Sequence, residues 1–430
     1  NNENIKIINE TIQQNLRLKD VFENKYSKSI LEKYAEYQSK GYLEILATCG
    51  TEVFVPHFMD IPEVISAQIE TGLQSYRNYF GELPDGFWLP KMAYFPGVES
   101  LIKAYGYTYT VLDSKSILLS DKVPSSGVFY PSRTGNLLAL FAADSQFEEY
   151  LYAEEEGIAT NSVYRNEKRD IGFELPESEL SPILSDGDVR FSTGYRYWNR
   201  SFNNPESIIY SKDKAYNQIQ TDASNFLVKK NELLSKAAEL LEGKKYVTSV
   251  CVIDCEKLQK NWHEGLWWLE EVIRQSEKYS LNVTTCNMMI EKNFNLERIE
   301  PYYSSEAGDG YGENFLSSKN CWMIRHIRKA CERMVDLADR FPNDTGLKNR
   351  LLNMGAKELL LAQSCNLQKM IDEDEFADYA EERFRASISA FTAVFDSLGS
   401  NTVSTEWLTK LEVLDDIFPW MNYRIFSKKQ

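Results

Sequence analysis

Apolar positions along the chain alternate between two periods. Residues 1–40 are helical by spacing: Ile5, Ile8, Ile12 and Leu16 recur every three to four residues, and Ile30, Leu31, Tyr34 and Tyr37 repeat the pattern before Gly41 stops it. Residues 42–48 then predict a strand. A helix follows over 61–80, with Pro62 in the first turn, where a missing N–H is tolerated. The rhythm continues with a strand at 87–90, a helix at 98–105 closed by Gly106, a strand at 107–112 and an apolar run at 137–142. Residues 145–215 break it with acidic and Ser- or Gly-containing segments. A long helix over 216–242, closed by Gly243, leads to the most continuous apolar run, 246–254, expected as a buried strand. A helix at 262–279 and a strand-like stretch at 281–290 complete the alternation.

Strands alternating with helices at this pitch imply parallel βαβ units. Beyond a Gly-rich loop at 306–312 the periodicity is purely helical, carried by Trp322, Ile324, Ile327, Met334 and Leu337, then by Leu351, Leu352, Leu359 and Leu360. The expected division is an α/β domain of residues 1–144 and 246–300, an inserted subdomain of 145–245 and a C-terminal α-helical domain of 301–430.

Composition narrows the partners. A formal net charge of −16 argues against nucleic acid and anionic membranes, and leaves a neutral ligand unaffected. The longest apolar runs are strand-sized, short of the roughly 20 residues of a membrane span. The seven cysteines are odd in number and show no CxxC or Cys–His ligand spacing, so reduced thiols, a cytoplasmic location and no metal or cofactor are expected. His57, His263 and His326 are not spaced as a metal site either.

In parallel α/β barrels, active sites gather at the C-terminal ends of strands. That directs attention to residues 49–52, Lys91, Asp113, Asp144 and 254–256. The segment Gly86-Phe-Trp-Leu-Pro-Lys91-Met-Ala-Tyr-Phe-Pro-Gly97 resembles the nucleophile strand of glycoside hydrolase family 57, including its α-1,4-glucan branching enzymes. The segment Val252-Ile-Asp254-Cys-Glu256 resembles that family's acid/base strand, and the resemblance extends in order from about residue 40 to the C-terminus. It implies a (β/α)7-type barrel with an inserted subdomain and a C-terminal helical domain; the family's first two strands have no counterpart here, so either the sequence shown lacks its natural N-terminus or the barrel is open on one side. It further implies Asp254 at the acid/base position, Glu52 and Glu256 beside it, and substrate contacts from Trp88, Trp198, Trp262 and Asp144.

The departures share a direction. Lys91 stands where the family has its nucleophilic glutamate. Glu52 and Lys260 stand near or at family histidines, while Asn261, Glu306 and Leu367 stand at family tryptophans. A retaining glycosidase needs two carboxyl groups about 5–5.5 Å apart, and an ammonium cannot form the glycosyl ester. The resemblance with these losses implies a relative without the family's turnover that binds α-glucan, maltooligosaccharide or a glucan-metabolism protein partner. Two alternatives stand beside it: an active glucan enzyme with catalysis rebuilt on Asp254, and an interaction scaffold with no sugar site. Lys91 is expected to pair with Asp254 or Glu256, with Glu52 joining the cluster or capping a loop.

Overall fold

The computed structural model describes residues 2–180, 189–201, 208–241, 246–292, 295–400 and 402–428. It divides into two compact units, one of Asn1–Lys40 with Asp144–Thr285 and one of Gly41–Ala143 with Cys286–Gln430. The second unit holds a five-stranded sheet in the order β1-β2-β3-β5-β4, made of β1 (Ala47–Thr48), β2 (Gly86–Trp88), β3 (Tyr109–Leu112), β4 (Ser132–Arg133) and β5 (Ala139–Ala142). β1, β2, β3 and β5 run parallel, with Ala47 opposite Phe87, Phe87 opposite Thr110 and Thr110 opposite Leu140; β4 joins the edge antiparallel.

The expected elements mostly stand, with strands shorter than their apolar runs. The helix Pro62–Phe80 begins on its proline and ends at Gly81 in a left-handed conformation, and it buries Val64, Ile65, Ile69 and Leu73. It lies so close to β1 that a Cβ on Gly72 would stand 1.7 Å from the carbonyl oxygen of Thr48. C-terminal helices Cys321–Arg340, Gly346–Ala362, Cys365–Asp372, Ala377–Ser400 and Thr405–Leu414 complete this unit, and Met334, Leu352 and Phe384 share one core with Phe87 and Leu112.

In the first unit the long helix Lys212–Leu240 packs against Gly265–Gln275 around Phe226, Trp262 and Trp268. Gly243 lies outside the described residues. Two expected strands are absent. Residues 246–254 form no ladder and are half-buried or exposed, with Val250 accepting one bond from the Asp144 amide at 2.8 Å. A continuous apolar run specifies burial and leaves hydrogen-bond partners unspecified. Residues 281–290 yield the helix Cys286–Glu291, because a short apolar run is ambiguous between the two periods. Among the described residues no helix is long and apolar enough to cross a membrane.

Candidate functional site

Glu52 is positioned from β1 outward. After Thr48 the chain turns through Gly50, whose amide donates to the Gln68 carbonyl at 2.8 Å. The Gln68 side-chain oxygen accepts from the Thr51 amide at 2.9 Å, while its Nε2 donates to Thr51 Oγ1 at 2.9 Å and to Gln363 Oε1 at 2.6 Å. Thr51 Oγ1 donates to the Leu360 carbonyl at 2.9 Å, and the Cys365 amide donates to the Glu52 carbonyl at 2.7 Å. Gln68 and Gln363 are buried, so these bonds satisfy polar groups that would otherwise be costly. They hold Glu52 against the start of the helix Cys365–Asp372, where Asn366 Nδ2 donates to Glu52 Oε2 at 2.8 Å.

Lys91 is placed by strained backbone. Past β2 the chain enters a tight turn in which Lys91 has φ 58° and Met92 φ 45°, both left-handed. Such a conformation costs a side-chain-bearing residue of order 1–2 kcal/mol and persists where surroundings over-determine it. Here the Lys91 carbonyl accepts from the Glu306 amide at 2.9 Å and from Ser305 Oγ at 3.1 Å, and the Tyr94 amide donates to Ser304 at 2.8 Å. The glycine-rich loop thus clamps the turn.

Lys91 Nζ meets Glu52 Oε1 at 2.5 Å, with side-chain exposures of 20% and 37%. Burial alone would lower the Lys91 pKa; the Glu52 carboxylate outweighs it, and the net direction is upward, so Lys91 is a cation and no nucleophile. Burial pushes the neighbouring Cys365 thiol up to about 12, which leaves it protonated. The anticipated partners of Lys91 were Asp254 and Glu256; the ion pair it makes is with Glu52, inside its own unit. Trp88 is half-buried, with its carbonyl accepting from Thr48 Oγ1 at 2.8 Å. Asp113 caps a short helix by accepting from the Lys115 amide at 2.8 Å. Asn366, Gln68, Gln363 and Ser305 were not anticipated. Asn366 lies just past the helical periodicity that ends at Leu360, which was the available signal.

The first unit holds the other candidates. Asp254 is exposed, and its Oδ1 accepts from the Glu256 amide at 2.8 Å; Glu256, also exposed, pairs with Lys260 at 3.1 Å. Asp144 is mostly buried and takes an ion pair from Lys230 and a 2.7 Å bond from Ser249 Oγ. Burial would raise its pKa, but these donors hold it below the usual carboxylate range. Trp262 is 0% exposed, with ring centroids of Tyr164 and Trp268 each at 5.6 Å, so it offers a sugar no face; it is a core residue, contrary to the substrate-contact expectation. The Trp198 ring is covered on one side by the Arg169 guanidinium at 4.5 Å, and its Nε1 donates to Glu174 at 2.9 Å.

Behind this segment lies a buried charged cluster. Glu264, wholly buried, accepts from the Arg165 amide at 3.2 Å, and burial pushes its pKa up to about 7. Glu167 binds Arg196 at 2.7 Å, and Asp170 accepts from the amides of Gly172, Thr193 and Gly194 at 2.8–2.9 Å. Those donors outweigh burial and hold Asp170 below its ordinary value. His263 is pushed down to about 3 by burial and by Arg165 and Arg196, and is therefore neutral. Among the described residues no group of three or more His, Cys, Asp or Glu side chains is placed to hold a metal ion.

Comparison with known proteins gives the family and the fold. The family described as glycosyl hydrolase family 57 matches residues 3–300, and the C-terminal region of 1,4-alpha-glucan branching enzymes matches residues 326–426. A 1,4-alpha-glucan branching enzyme of Thermococcus kodakarensis is 24% identical over 387 residues, 82% of this chain and 54% of its own length. A probable 1,4-alpha-glucan branching enzyme of Mycobacterium tuberculosis is 22% identical over 362 residues, 81% of this chain and 62% of its own. The chain thus spans between a half and two thirds of these relatives' lengths. Among solved structures, the alpha-amylase AmyC of Thermotoga maritima aligns with a TM-score of 0.87 at 26% identity, covering 100% of this chain and 85% of that one. A branching enzyme of Pyrococcus horikoshii aligns with a TM-score of 0.87 at 22% identity, covering 100% and 79%.

Proposed function

The chain belongs to glycosyl hydrolase family 57, and within that family we propose that it is a glucan-binding relative that has lost the family's reaction. The observation that carries this reading is the Lys91–Glu52 ion pair. On the resemblance, Lys91 stands at the nucleophile position. A retaining mechanism needs a free carboxylate there, and the ammonium in its place neutralises the nearest carboxylate as well. The Asn366 amide binds the second Glu52 oxygen, so both oxygens of that group are engaged within the fold. The α-glucan class of ligand follows from the relatives, which are named as glucan branching enzymes. A protein partner in glucan metabolism is the less specific form of the same proposal.

One observation favours a second reading, in which catalysis is rebuilt on Asp254. That carboxylate is exposed and accepts a local backbone bond, and among the described residues it makes no ion pair. Turnover of amylose by the chain, following reducing ends and branch formation with Asp254→Asn as control, separates the two. Absence of turnover from folded protein, together with saturable maltooligosaccharide binding, is the expected result. Turnover abolished by Asp254→Asn would overturn the first reading in favour of the second. No binding at about 10 mM maltooligosaccharide, a concentration that detects even millimolar affinities, would favour an interaction scaffold. Lys91→Glu alone is expected to give no turnover, because Lys260, Asn261, Glu306 and Leu367 depart from the family pattern too.

A further inference from the structure

The helix Thr405–Leu414 is fastened to the rest of the second unit by few groups. Leu408 is its one buried residue, and it joins a small core with Leu351, Met354 and Val394 that is separate from the main one. Val413 and Leu414 at its end are exposed. Polar ties supply the rest. Arg350 of the helix Gly346–Ala362 forks onto Glu412 at 3.0 and 2.5 Å. Arg383 of the helix Ala377–Ser400 donates at 2.5 Å to Oδ1 of Asp415, the residue that closes the helix.

The other Asp415 oxygen has different surroundings. Glu358, 1% exposed on the helix Gly346–Ala362, lies within hydrogen-bonding reach of Asp415. Asp415 Oδ2 and Glu358 Oε1 are both sealed from solvent, and neither meets a donor among the described residues. Two carboxylate oxygens are acceptors only, so they can bond each other only when one of them carries a proton. Ionised together, they would repel where water does not reach. The nearby cations leave that need in place. Arg383 is committed to the far oxygen of Asp415, and Lys357 lies in the field of Glu412, Asp415 and Asp416. Ser387, buried one turn beyond Arg383, is a further polar neighbour of Glu358. The other elements packed on this helix turn their cations elsewhere: Arg333 over the Phe395 ring at 4.6 Å, Arg340 to Asp336, and Arg424 to the carbonyls of Pro342 and Asp344 at 2.6 and 2.7 Å. Burial first, then the bond to Asp415 and its charge, holds the Glu358 carboxyl up to about 8, against an ordinary 4.5.

We propose that Glu358 and Asp415 share one proton, and that this proton latches the helix Thr405–Leu414 onto its two neighbours and lets it go as pH rises. The latch is independent of the glucan reading and of Lys91. While docked, the pair keeps a proton that a solvated Glu358 gives up above about 4.5. Opening is therefore favoured about tenfold per pH unit from about 4.5 to about 8, and no further above that. Release would uncover Met354, Val394 and Leu408, all enclosed in the docked state. Partial opening of this kind is read by hydrogen exchange.

The test is amide hydrogen exchange of the whole chain, expressed as protection factors between about pH 5 and about pH 9. Protection of residues 405–415 should fall about tenfold per unit up to about pH 8 and then level off. At each pH it should stay well below that of residues 351–360 in the helix beneath. Glu358→Gln, whose amide donates to Asp415 without a titrating proton, should abolish the slope and keep the segment protected at about pH 9. Should that variant fail to fold, Asp415→Asn supplies a donor from the other side of the pair and carries the same prediction. Wild-type protection independent of pH would mean that both carboxylates are ionised, and would overturn the proposal. So would a slope that survives in the variants, or equal protection of the two segments at every pH. Restoration of protection at about pH 9 by millimolar calcium would make the pair a cation site and overturn it too.

Discussion

Around Lys91 the chain is tied down from several directions. The glycine-rich loop holds its carbonyl, a left-handed turn sets its backbone, and Glu52, itself anchored through Gln68 and Gln363, holds its ammonium. Around Asp254 the bonds are local: its carboxylate accepts from an amide two residues on, and Glu256 pairs one helical turn away with Lys260. The contrast shows how differently a half-buried and an exposed charge are held. A lysine at a half-buried turn requires a partner and a scaffold to present that partner, because an uncompensated charge there is expensive. An exposed carboxylate needs neither, since water solvates it, and its position is correspondingly uncommitted to any one role.

The scaffold side of that comparison breaks most visibly at Gly72. Gly72→Ala would drive a Cβ into the Thr48 carbonyl, and should destabilise the second unit by about 3 kcal/mol or more. Denaturant midpoints check this; a loss under about 1 kcal/mol would show that β1 yields easily and that Glu52 is not rigidly presented.

Next in size is Glu264, which asks whether the first unit is loosely built or loose only at Asp254. Its carboxyl keeps its proton up to about 7 in the fold, against an ordinary 4.5. Between those values the folded state binds the extra proton, so stability falls as pH rises from about 4.5 to 7 and is flat above. The contribution is about 3 kcal/mol. Comparing urea unfolding of wild type and Glu264→Gln across that range should show the variant lacking this part of the slope; parallel curves would place Glu264 in a solvated setting.

A smaller effect tests the ion pair. Lys91→Met should cost about 1–2 kcal/mol, discounted because Glu52 is partly exposed, and Lys91→Met/Glu52→Gln should cost less than the single change. A double variant as damaged as the sum of both singles would mean the two side chains do not interact. Smallest of all, Asp254→Asn should leave stability within about 0.5 kcal/mol of wild type, whatever it does to activity, as thermal melting would show.

Hydrophobic period made the helices legible, because a helix satisfies its own backbone and needs only an apolar face: Pro62–Phe80, Lys212–Leu240 and Cys321–Arg340 lie within a few residues of their expected spans. Strands were less so. Residues 246–254 read as buried, yet a ladder depends on a neighbour supplied from elsewhere in the chain. The candidate site divided the same way. That Lys91 would require a carboxylate could be argued from residue type, and family motifs singled out Glu52 and Asp254. That Glu52 is the partner, that Asn366 and Ser305 complete the turn, and that Trp262 is core, rest on contacts between segments some 40 to 310 positions apart.

The sequence by itself determined the order of helices, the class of fold and the cation at residue 91, since each is written in local spacing or in the chemistry of one side chain. Only the tertiary structure decided which groups neutralise Lys91 and which aromatic rings are enclosed. Pairing and burial are properties of distance in space, and distance along the chain does not encode it.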